Sequence, residues 1–248
     1  MSEPILEVRD ARKQFGAVTA LDGISFSLAR GEVLALLGDN GAGKSTMIKA
    51  LSGVHTLDEG EILLDGAPIE LKSPADARAA GIETVYQDLA VFDNLTASAN
   101  FYIGREMTRP SWLGGLGWMR SKAMQQATRE KLDQLQVRVP SLTNTLGVMS
   151  GGQRQAVACA RAVAFASRIV VLDEPTAALG VRESASVLDL VRRLPETGTS
   201  VILISHNLGQ VIQVADRAVV LRQGRQVGEA AATSENHELL VSMIVGGS

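Results

Sequence analysis

The stretch Gly38-Asp39-Asn40-Gly41-Ala42-Gly43-Lys44-Ser45-Thr46 has the spacing G-x-x-x-x-G-K-[ST] of a phosphate-binding loop. The apolar run ending at Leu37 predicts a buried strand before it, and the run from Thr46 to Leu51 predicts a helix after it. Glycines let backbone N–H groups turn inward, and a helix N-terminus adds partial positive charge at the same point. The sequence therefore predicts a nucleotide polyphosphate site, and a plain glycine-rich turn is the alternative.

Two side chains of this loop are expected to have specific roles. Lys44 would reach the outer phosphates, and the Ser45 hydroxyl would ligate Mg²⁺. The expected nucleotide contacts cover the whole loop, namely Gly38, Asp39, Asn40, Gly41, Ala42, Gly43, Lys44, Ser45 and Thr46.

Composition limits the class of protein. The chain has 248 residues, 46% of them hydrophobic, which is enough for a large core. A net charge of −3 argues against a broad nucleic-acid surface. No apolar run approaches the roughly 18 residues of a membrane span. The single cysteine, Cys159, cannot form an intrachain disulfide, so we expect a cytosolic protein with Cys159 packed in the core.

The order of predicted elements indicates an α/β fold. Residues 5–28 alternate apolar and polar side chains, as half-buried antiparallel strands do. Strands and helices then alternate, which favours a mixed, largely parallel sheet flanked by helices. We expect one domain over residues 1–248, with a P-loop core at 1–89 and 160–248 and an inserted helical subdomain at about 90–159. Predicted strands include Ile5–Val8, Val18–Leu21, Ile24–Leu28, Glu61–Leu64, Ile82–Val85, Ile169–Leu172 and Val201–Ile204.

Two acids follow the most apolar of these strands. Asp173 and Glu174 come directly after the run 168–172. Ligands of open α/β sheets lie at the carboxyl ends of the strands, which is where the phosphate-binding loop should open. Asp173 is therefore a candidate Mg²⁺ ligand, and Glu174 is a candidate general base for the water that attacks a γ-phosphate. Two acids that merely solvate a strand end are the alternative.

The segment Ser150-Gly151-Gly152-Gln153 opens a predicted helix that runs to about Ala166. Ser150 with Gln153 three positions later is typical of a capping box. Two adjacent glycines weaken a helix start, but they would let a phosphate approach the backbone. Judged on the residues alone, both interpretations stay open.

Together these stretches resemble the ATP-binding subunit of an ABC transporter. The resemblance runs in the family's order from about Ile5 to Glu229. The signature motif is its most specific piece, because ordinary P-loop proteins lack it. The matching segments are the P-loop, the Q-loop in Val85-Tyr86-Gln87-Asp88, the signature motif in residues 148–155, the Walker B segment in residues 172–176 and the H-loop in Ile204-Ser205-His206-Asn207.

The resemblance implies ATP and Mg²⁺ as cofactors and adds further site residues. Phe15 would stack on adenine, with a core phenylalanine as the alternative. His206 would contact the γ-phosphate. The implied catalytic residues are Lys44, Gln87, Glu174 and His206. The implied Mg²⁺ ligands are Ser45, Gln87 and Asp173. The implied nucleotide contacts of the signature motif are Ser150, Gly151, Gly152 and Gln153.

The resemblance also implies partners. The P-loop of one subunit would face the signature motif of a second ATPase subunit, with two ATP molecules between them. Gln87 would link the site to transmembrane permease subunits, which places this chain peripherally on the cytoplasmic face of the cell membrane. No nucleic-acid partner is expected.

Two positions depart from the family pattern, and a narrower resemblance is visible. Met149 stands where leucine is usual, a swap that nearly conserves volume. Gly180 stands where an aspartate is usual, so a carboxylate expected at the dimer interface is absent. The segments 52–62 and 174–182 are similar to ATPases of ribose- and fructose-type monosaccharide importers. A sugar-binding protein is implied indirectly.

Two other functions remain as alternatives at this point. The first is a non-transport ABC ATPase that acts on ribosomes or DNA, for which the chain shows neither a second ATPase half nor a basic composition. The second is the ATPase subunit of an exporter. The segment with Trp112 and Trp118 could touch a permease or pack within its own subdomain.

Overall fold

Strands and helices alternate along most of the chain. The computed structural model describes residues 3–86, 91–109, 117–135, 137, 139, 141–177 and 179–246. The strands are β1 (Pro4–Phe15), β2 (Val18–Ala29), β3 (Val33–Leu37), β4 (Glu59–Leu64), β5 (Ala67–Ile69), β6 (Ile82–Val85), β7 (Thr108–Arg109), β8 (Trp118–Met119), β9 (Ile169–Asp173), β10 (Ser200–Ile204), β11 (Arg217–Arg222) and β12 (Arg225–Ala231). The helices are α1 (Lys44–Leu51), α2 (Pro74–Ala79), α3 (Ala97–Phe101), α4 (Ser121–Gln134), α5 (Gly151–Phe165), α6 (Val181–Arg193), α7 (Leu208–Val214) and α8 (His237–Val245).

A six-stranded sheet in the order β12-β11-β3-β10-β9-β6 forms the centre of the fold. Neighbours from β11 to β6 pair in parallel, and β12 is antiparallel to β11. Every residue of β3 and β10 is buried. Continuous apolar strands of this kind are expected when both faces of a parallel sheet are covered. The α/β fold with a mixed sheet that the sequence predicts is thus confirmed.

Alternate residues of the central strands enter different cores. Leu34 and Ile202 pack with α1 and with the N-terminal sheet, in a cluster that includes Met47. Val33 and Val201 face the opposite way and pack with α5 and α6. The two faces of the sheet are therefore held by different layers, and the strand ends between them are fixed in place.

The N-terminal sheet is antiparallel, in the order β2-β1-β4-β5. Its first two strands are longer than the alternation of the sequence predicts. A register shift between Val8 and Ala11 interrupts β1, and Asp10 within it has a φ of +46°. An extra residue in one strand breaks the period of two, although the pairing continues beyond it. The short strands predicted in residues 18–28 are one strand, β2.

Among the described residues of the inserted segment are α3, α4 and the first part of α5, where the sequence predicts a helical subdomain. Helices α3 and α4 pack on α5 through a cluster that includes Phe101, Met124 and Leu132. A two-stranded hairpin of β7 and β8 also lies here, and the side chain of Trp118 on it is 85% exposed. Packing of Trp118 within its subdomain is therefore not observed, and Trp112 lies outside the described residues. The predicted division of the chain stays a prediction, although α5 runs across its boundary at residue 159.

Several elements lie close to their predicted positions, and others were not predicted. Strand β6 has the predicted bounds, and β9 and β10 are each one residue longer. The last helix begins at His237, after a short 3₁₀ turn. Strands β11 and β12 and helix α7 were missed. Within the described residues, no helix is both long enough and apolar enough to cross a bilayer.

Candidate nucleotide-binding site

The candidate site residues follow neighbouring strand ends. In the parallel register Ile204 lies opposite Leu36 on one side and Asp173 on the other, and Val85 lies opposite Leu172. Strands β3, β10, β9 and β6 therefore end at one edge of the sheet. The segments that follow them are the phosphate-binding loop, the segment at His206, the segment at Glu174 and the segment at Gln87. The fold thus gathers Gly38, Glu174 and His206, of which the first and last are 168 positions apart in sequence.

The phosphate-binding loop ends in a helix start without a side-chain cap. Helix α1 has Gly43 as its N-cap, with a φ of +105°, and a glycine has no side chain that could accept a hydrogen bond from the first turn. The first N–H groups of a helix need partners from outside the helix, and the helix dipole favours a negative one. Such an end is a suitable anion site. Within the loop Asn40, Gly41 and Ser45 are exposed, Thr46 is half-buried and Ala42 is buried.

Close backbone approaches require two of the loop glycines. A Cβ on Gly38 would lie 2.2 Å from the carbonyl oxygen of Leu221, and one on Gly43 would lie 2.7 Å from that of Ala20. Both positions also have positive φ, which strains other residues. The turn between β11 and β12 supports the loop, since the Gly224 N–H donates to the Ala42 carbonyl at 3.1 Å. Sequence reasoning missed Gly224, whose signal was the Gln-Gly turn between two apolar runs.

Lys44 is buried and points back to its own loop. Its Nζ donates to the carbonyl oxygens of Gly38 at 2.6 Å and Asp39 at 2.9 Å. Burial lowers the pKa of Lys44, and the nearby carboxylates of Glu174, Asp39 and Asp173 oppose that shift. The ammonium group is thus held between the loop and the acids at the end of β9, where an outer phosphate would lie.

Glu174 has an unusual backbone and a close imidazole partner. Its φ is +47°, and its N–H donates to the Ile204 carbonyl at 2.9 Å. Its Oε1 lies 3.0 Å from Nδ1 of His206. Non-glycine residues with positive φ are uncommon and concentrate at functional sites. The contact brings together two residues whose pairing the sequence did not predict, since it placed each of them separately near a γ-phosphate.

Asp173 and Ser45 fit a magnesium ion that arrives with a nucleotide. Burial raises the pKa of Asp173, the charge of Glu174 raises it further, and Lys44 and Lys49 oppose the shift. Mg²⁺ is commonly held by one or two protein oxygens together with substrate phosphates and water. Among the described residues no cluster of three metal-binding side chains occurs. One carboxylate and one hydroxyl beside a phosphate-binding loop suit that shared mode of binding.

The start of α5 is a capping box. The Ser150 Oγ accepts from the Gln153 N–H at 3.3 Å, and the Ser150 N–H donates to Oε1 of Gln153 at 3.1 Å. Gly151 has open space around it, whereas a Cβ on Gly152 would lie 2.3 Å from Cγ of Glu183. Packing within the chain therefore accounts for Gly152. Ser150 and Gly151 are exposed, so they remain accessible to a ligand from outside the chain.

Phe15 and Gln87 complete the predicted set. The Phe15 side chain is 43% exposed at the end of β1, which excludes the alternative of a core phenylalanine. Gln87 lies outside the described residues, directly after Tyr86 at the end of β6. The structure thus brings the P-loop, Asp173, Glu174 and His206 to one edge of the sheet. The signature residues begin α5, a helix that directly follows none of the four strands that end at this edge.

Comparisons with known proteins agree with this arrangement. The family model described as ABC transporter matches residues 21–177. The chain is 50% identical to the fructose import ATP-binding protein FrcA of Rhizobium meliloti, over 91% of the chain and 87% of that protein. It is 45% identical to the xylose/arabinose import ATP-binding protein XylG of Sulfolobus acidocaldarius, over 98% and 96%. A nucleotide-free ATP-binding cassette from an ABC transporter superimposes with a TM-score of 0.84 at 27% identity, covering 98% of each chain.

Proposed function

The chain belongs to the ABC transporter family as an ATP-binding protein, and on that premise we propose that it hydrolyses ATP to drive uptake of a monosaccharide. The uptake would pass through a separate permease. The observation that carries the proposal is the contact of Glu174 with His206, beside Lys44 and at the same sheet edge as the phosphate-binding loop.

Different side chains have different roles in the proposed hydrolysis. The uncapped start of α1 and the ammonium group of Lys44 bind and orient the phosphates. Glu174 accepts a proton from the attacking water, and His206 holds the carboxylate in position. Ser45 and Asp173 would hold Mg²⁺, which supplies charge neutralisation to the phosphate oxygens when bound. Gln87, which follows β6, would help to position the water.

A complete site requires a second ATPase subunit. Ser150, Gly151, Gly152 and Gln153 begin α5, which directly follows none of the four strands that end at the site. We place them against the nucleotide of the partner, with an identical copy giving an isologous pair. The exposure of Ser150 and Gly151 supports this role, as does the side chain of Val148, which is 73% exposed.

The transported sugar and the location of the subunit are further parts of the proposal. Fructose and xylose/arabinose stand in the names of two similar proteins, and both are monosaccharides. We therefore infer a monosaccharide as the transported substrate, delivered by a sugar-binding protein. The permease would hold this subunit at the cytoplasmic face of the cell membrane.

Recovery of the native complex tests the proposal. The chain would be tagged, solubilised gently from its own membranes and analysed for co-purifying proteins by mass spectrometry. We expect a multi-spanning permease, and we expect candidate monosaccharides with the matching binding protein to stimulate ATPase activity. Recovery of ribosomal or DNA-repair proteins without a permease would contradict the transport function and leave the ATPase site intact.

A further inference from the structure

An aromatic contact links the predicted nucleobase residue to a histidine that no motif explains. The rings of Phe15 and His55 are 5.1 Å apart between centroids and meet at 63°, an edge-to-face arrangement. Such pairs contribute favourably beyond the area that they bury. The Phe15 side chain is still 43% exposed, so much of its surface remains available to another ring.

The loop that carries His55 is tied to the end of β1 by several polar contacts. The carboxylate of Asp58 accepts from Nζ of Lys13 at 2.6 Å and from the Gln14 N–H at 2.7 Å. The Asp58 N–H donates to the Arg12 carbonyl at 2.9 Å. These contacts join the chain just before Phe15 to the chain just after His55. They therefore fix the backbone position of His55 relative to Phe15.

The same loop continues directly from the phosphate-binding helix. The N–H groups of Val54 and His55 both donate to the Lys49 carbonyl in the last turn of α1, at 2.8 and 3.0 Å. Helix α1 begins at Lys44, in the phosphate-binding loop. Helix α1, two backbone hydrogen bonds and one ring contact therefore connect the phosphate site through His55 to Phe15.

We propose that His55 is a positioning residue for the nucleobase, which holds the Phe15 ring at a set distance from the phosphate-binding loop. The inference rests on the proposed function, together with the adenine-stacking role that the family resemblance implies for Phe15. His55 lies outside the phosphate-binding loop, so we expect its effect to be confined to ligands that carry a base. Loss of the imidazole frees the Phe15 ring to turn away from the stacking position.

Binding of two ligands by matched variants tests this role. Equilibrium binding of ATP and of inorganic tripolyphosphate would be measured by calorimetry for the parent chain, His55→Ala and His55→Phe. Exposed His237, which matches no motif, provides the control variant His237→Ala. We expect His55→Ala to weaken ATP binding about 2- to 10-fold, the effect of losing one aromatic pair, with tripolyphosphate binding unchanged. His55→Phe should restore ATP binding, and His237→Ala should match the parent.

Kinetics and the partner residue separate this role from general damage. In the assembled complex, His55→Ala should raise KM for ATP by the same factor and leave kcat unchanged. Equal loss of ATP and tripolyphosphate binding would overturn the inference, because it would indicate a disturbed α1. Unchanged ATP binding by His55→Ala, beside weakened binding by Phe15→Ala, would overturn the inference alone. Unchanged binding by Phe15→Ala would overturn the proposed base contact and the inference with it.

Discussion

The Nδ1 atom of His206 lies 3.0 Å from Oε1 of Glu174. The two residues follow β10 and β9, whose parallel pairing sets Ile204 opposite Asp173. The backbone N–H of Glu174 also donates to Ile204, so a main-chain bond and a side-chain contact join the same two segments. The carboxylate is mostly buried, whereas the imidazole is largely exposed. The exposed side of the His206 imidazole is therefore accessible to a γ-phosphate, which is the contact that the family resemblance implies for this residue.

Removal of the carboxylate charge tests the assigned base. Glu174→Gln should keep ATP binding and reduce kcat about 10²- to 10⁴-fold, because the amide cannot accept the proton of the attacking water. Steady-state ATPase assays give kcat, and size-exclusion chromatography with ATP should show an accumulating dimer. Lys44→Ala serves as the contrast, since it should lose nucleotide binding itself. Normal turnover by Glu174→Gln would show that another group is the base.

Substitution of the imidazole tests the Glu174 contact. His206→Ala should lower kcat by about 10²-fold, the lower end of what a general base such as the Glu174 carboxylate that it positions contributes. Its KM for ATP should change little, since Lys44 and the start of α1 remain. His237→Ala is the control for loss of a histidine elsewhere. A large rise in KM with unchanged kcat would place His206 in ground-state binding instead.

Two glycines of the phosphate-binding loop allow the cost of backbone strain to be measured apart from the cost of a close contact. Gly41 and Gly43 both have positive φ, but a Cβ meets neighbouring atoms only at Gly43. Gly41→Ala should lose about 1–2 kcal/mol of unfolding free energy from strain alone. Gly43→Ala should lose more, because it adds a clash with the Ala20 carbonyl. Denaturant unfolding without nucleotide measures both, and equal losses would contradict the close approach.

The two signature glycines should respond in opposite directions. Gly152→Ala places a methyl group against Glu183 and should cost about 1–3 kcal/mol of unfolding free energy, as overpacking does. Gly151→Ala meets no atom and should gain up to about 1 kcal/mol from helix propensity. The midpoint temperatures of thermal denaturation of the two variants and the parent chain measure these changes. Adding Glu183→Ala to Gly152→Ala should recover most of the loss, and failure to recover would assign it to another contact.

The single thiol should be unreactive in the folded chain. Cys159 is buried in α5, and burial raises its pKa to about 12. Because the thiolate is the reactive form, alkylation by iodoacetamide at pH 8 should be negligible until the chain is unfolded in urea. Mass spectrometry with and without urea measures this difference. Rapid alkylation of the native protein would indicate that α5 opens readily.

Local sequence signals predicted the candidate site because the chemistry proposed for it depends on short, specific segments. The strand before Gly38, the helix after it and the strands before Glu174 and His206 all lie close to their predicted positions. Each is an apolar run that ends in residues with special chemistry. Such patterns predict the folded structure well, because burial requires the apolar run and ligand binding requires the residues that follow it.

Features that depend on tertiary contacts could not be predicted in the same way. The bulge at Asp10 breaks the alternation that would have shown β1 as one strand. The contact of Glu174 with His206 needs the register of β9 and β10, which no local segment contains. The need for Gly152 comes from Glu183, thirty-one positions away, and not from a phosphate alone. The support that Gly224 gives the phosphate-binding loop is likewise a contact between distant segments.

Because four strand ends meet at one sheet edge, the complete nucleotide site exists only in the folded chain. Nucleotide binding should therefore stabilise the folded state. The unfolded chain keeps the loop sequence but not the arrangement of Lys44, Glu174 and His206, so it should bind ATP far less well. A ligand present at a thousand times its Kd stabilises a folded protein by about 4 kcal/mol. Proteolysis and heat inactivation should therefore slow as the ATP concentration rises. The ATP concentration would then set the lifetime of this subunit.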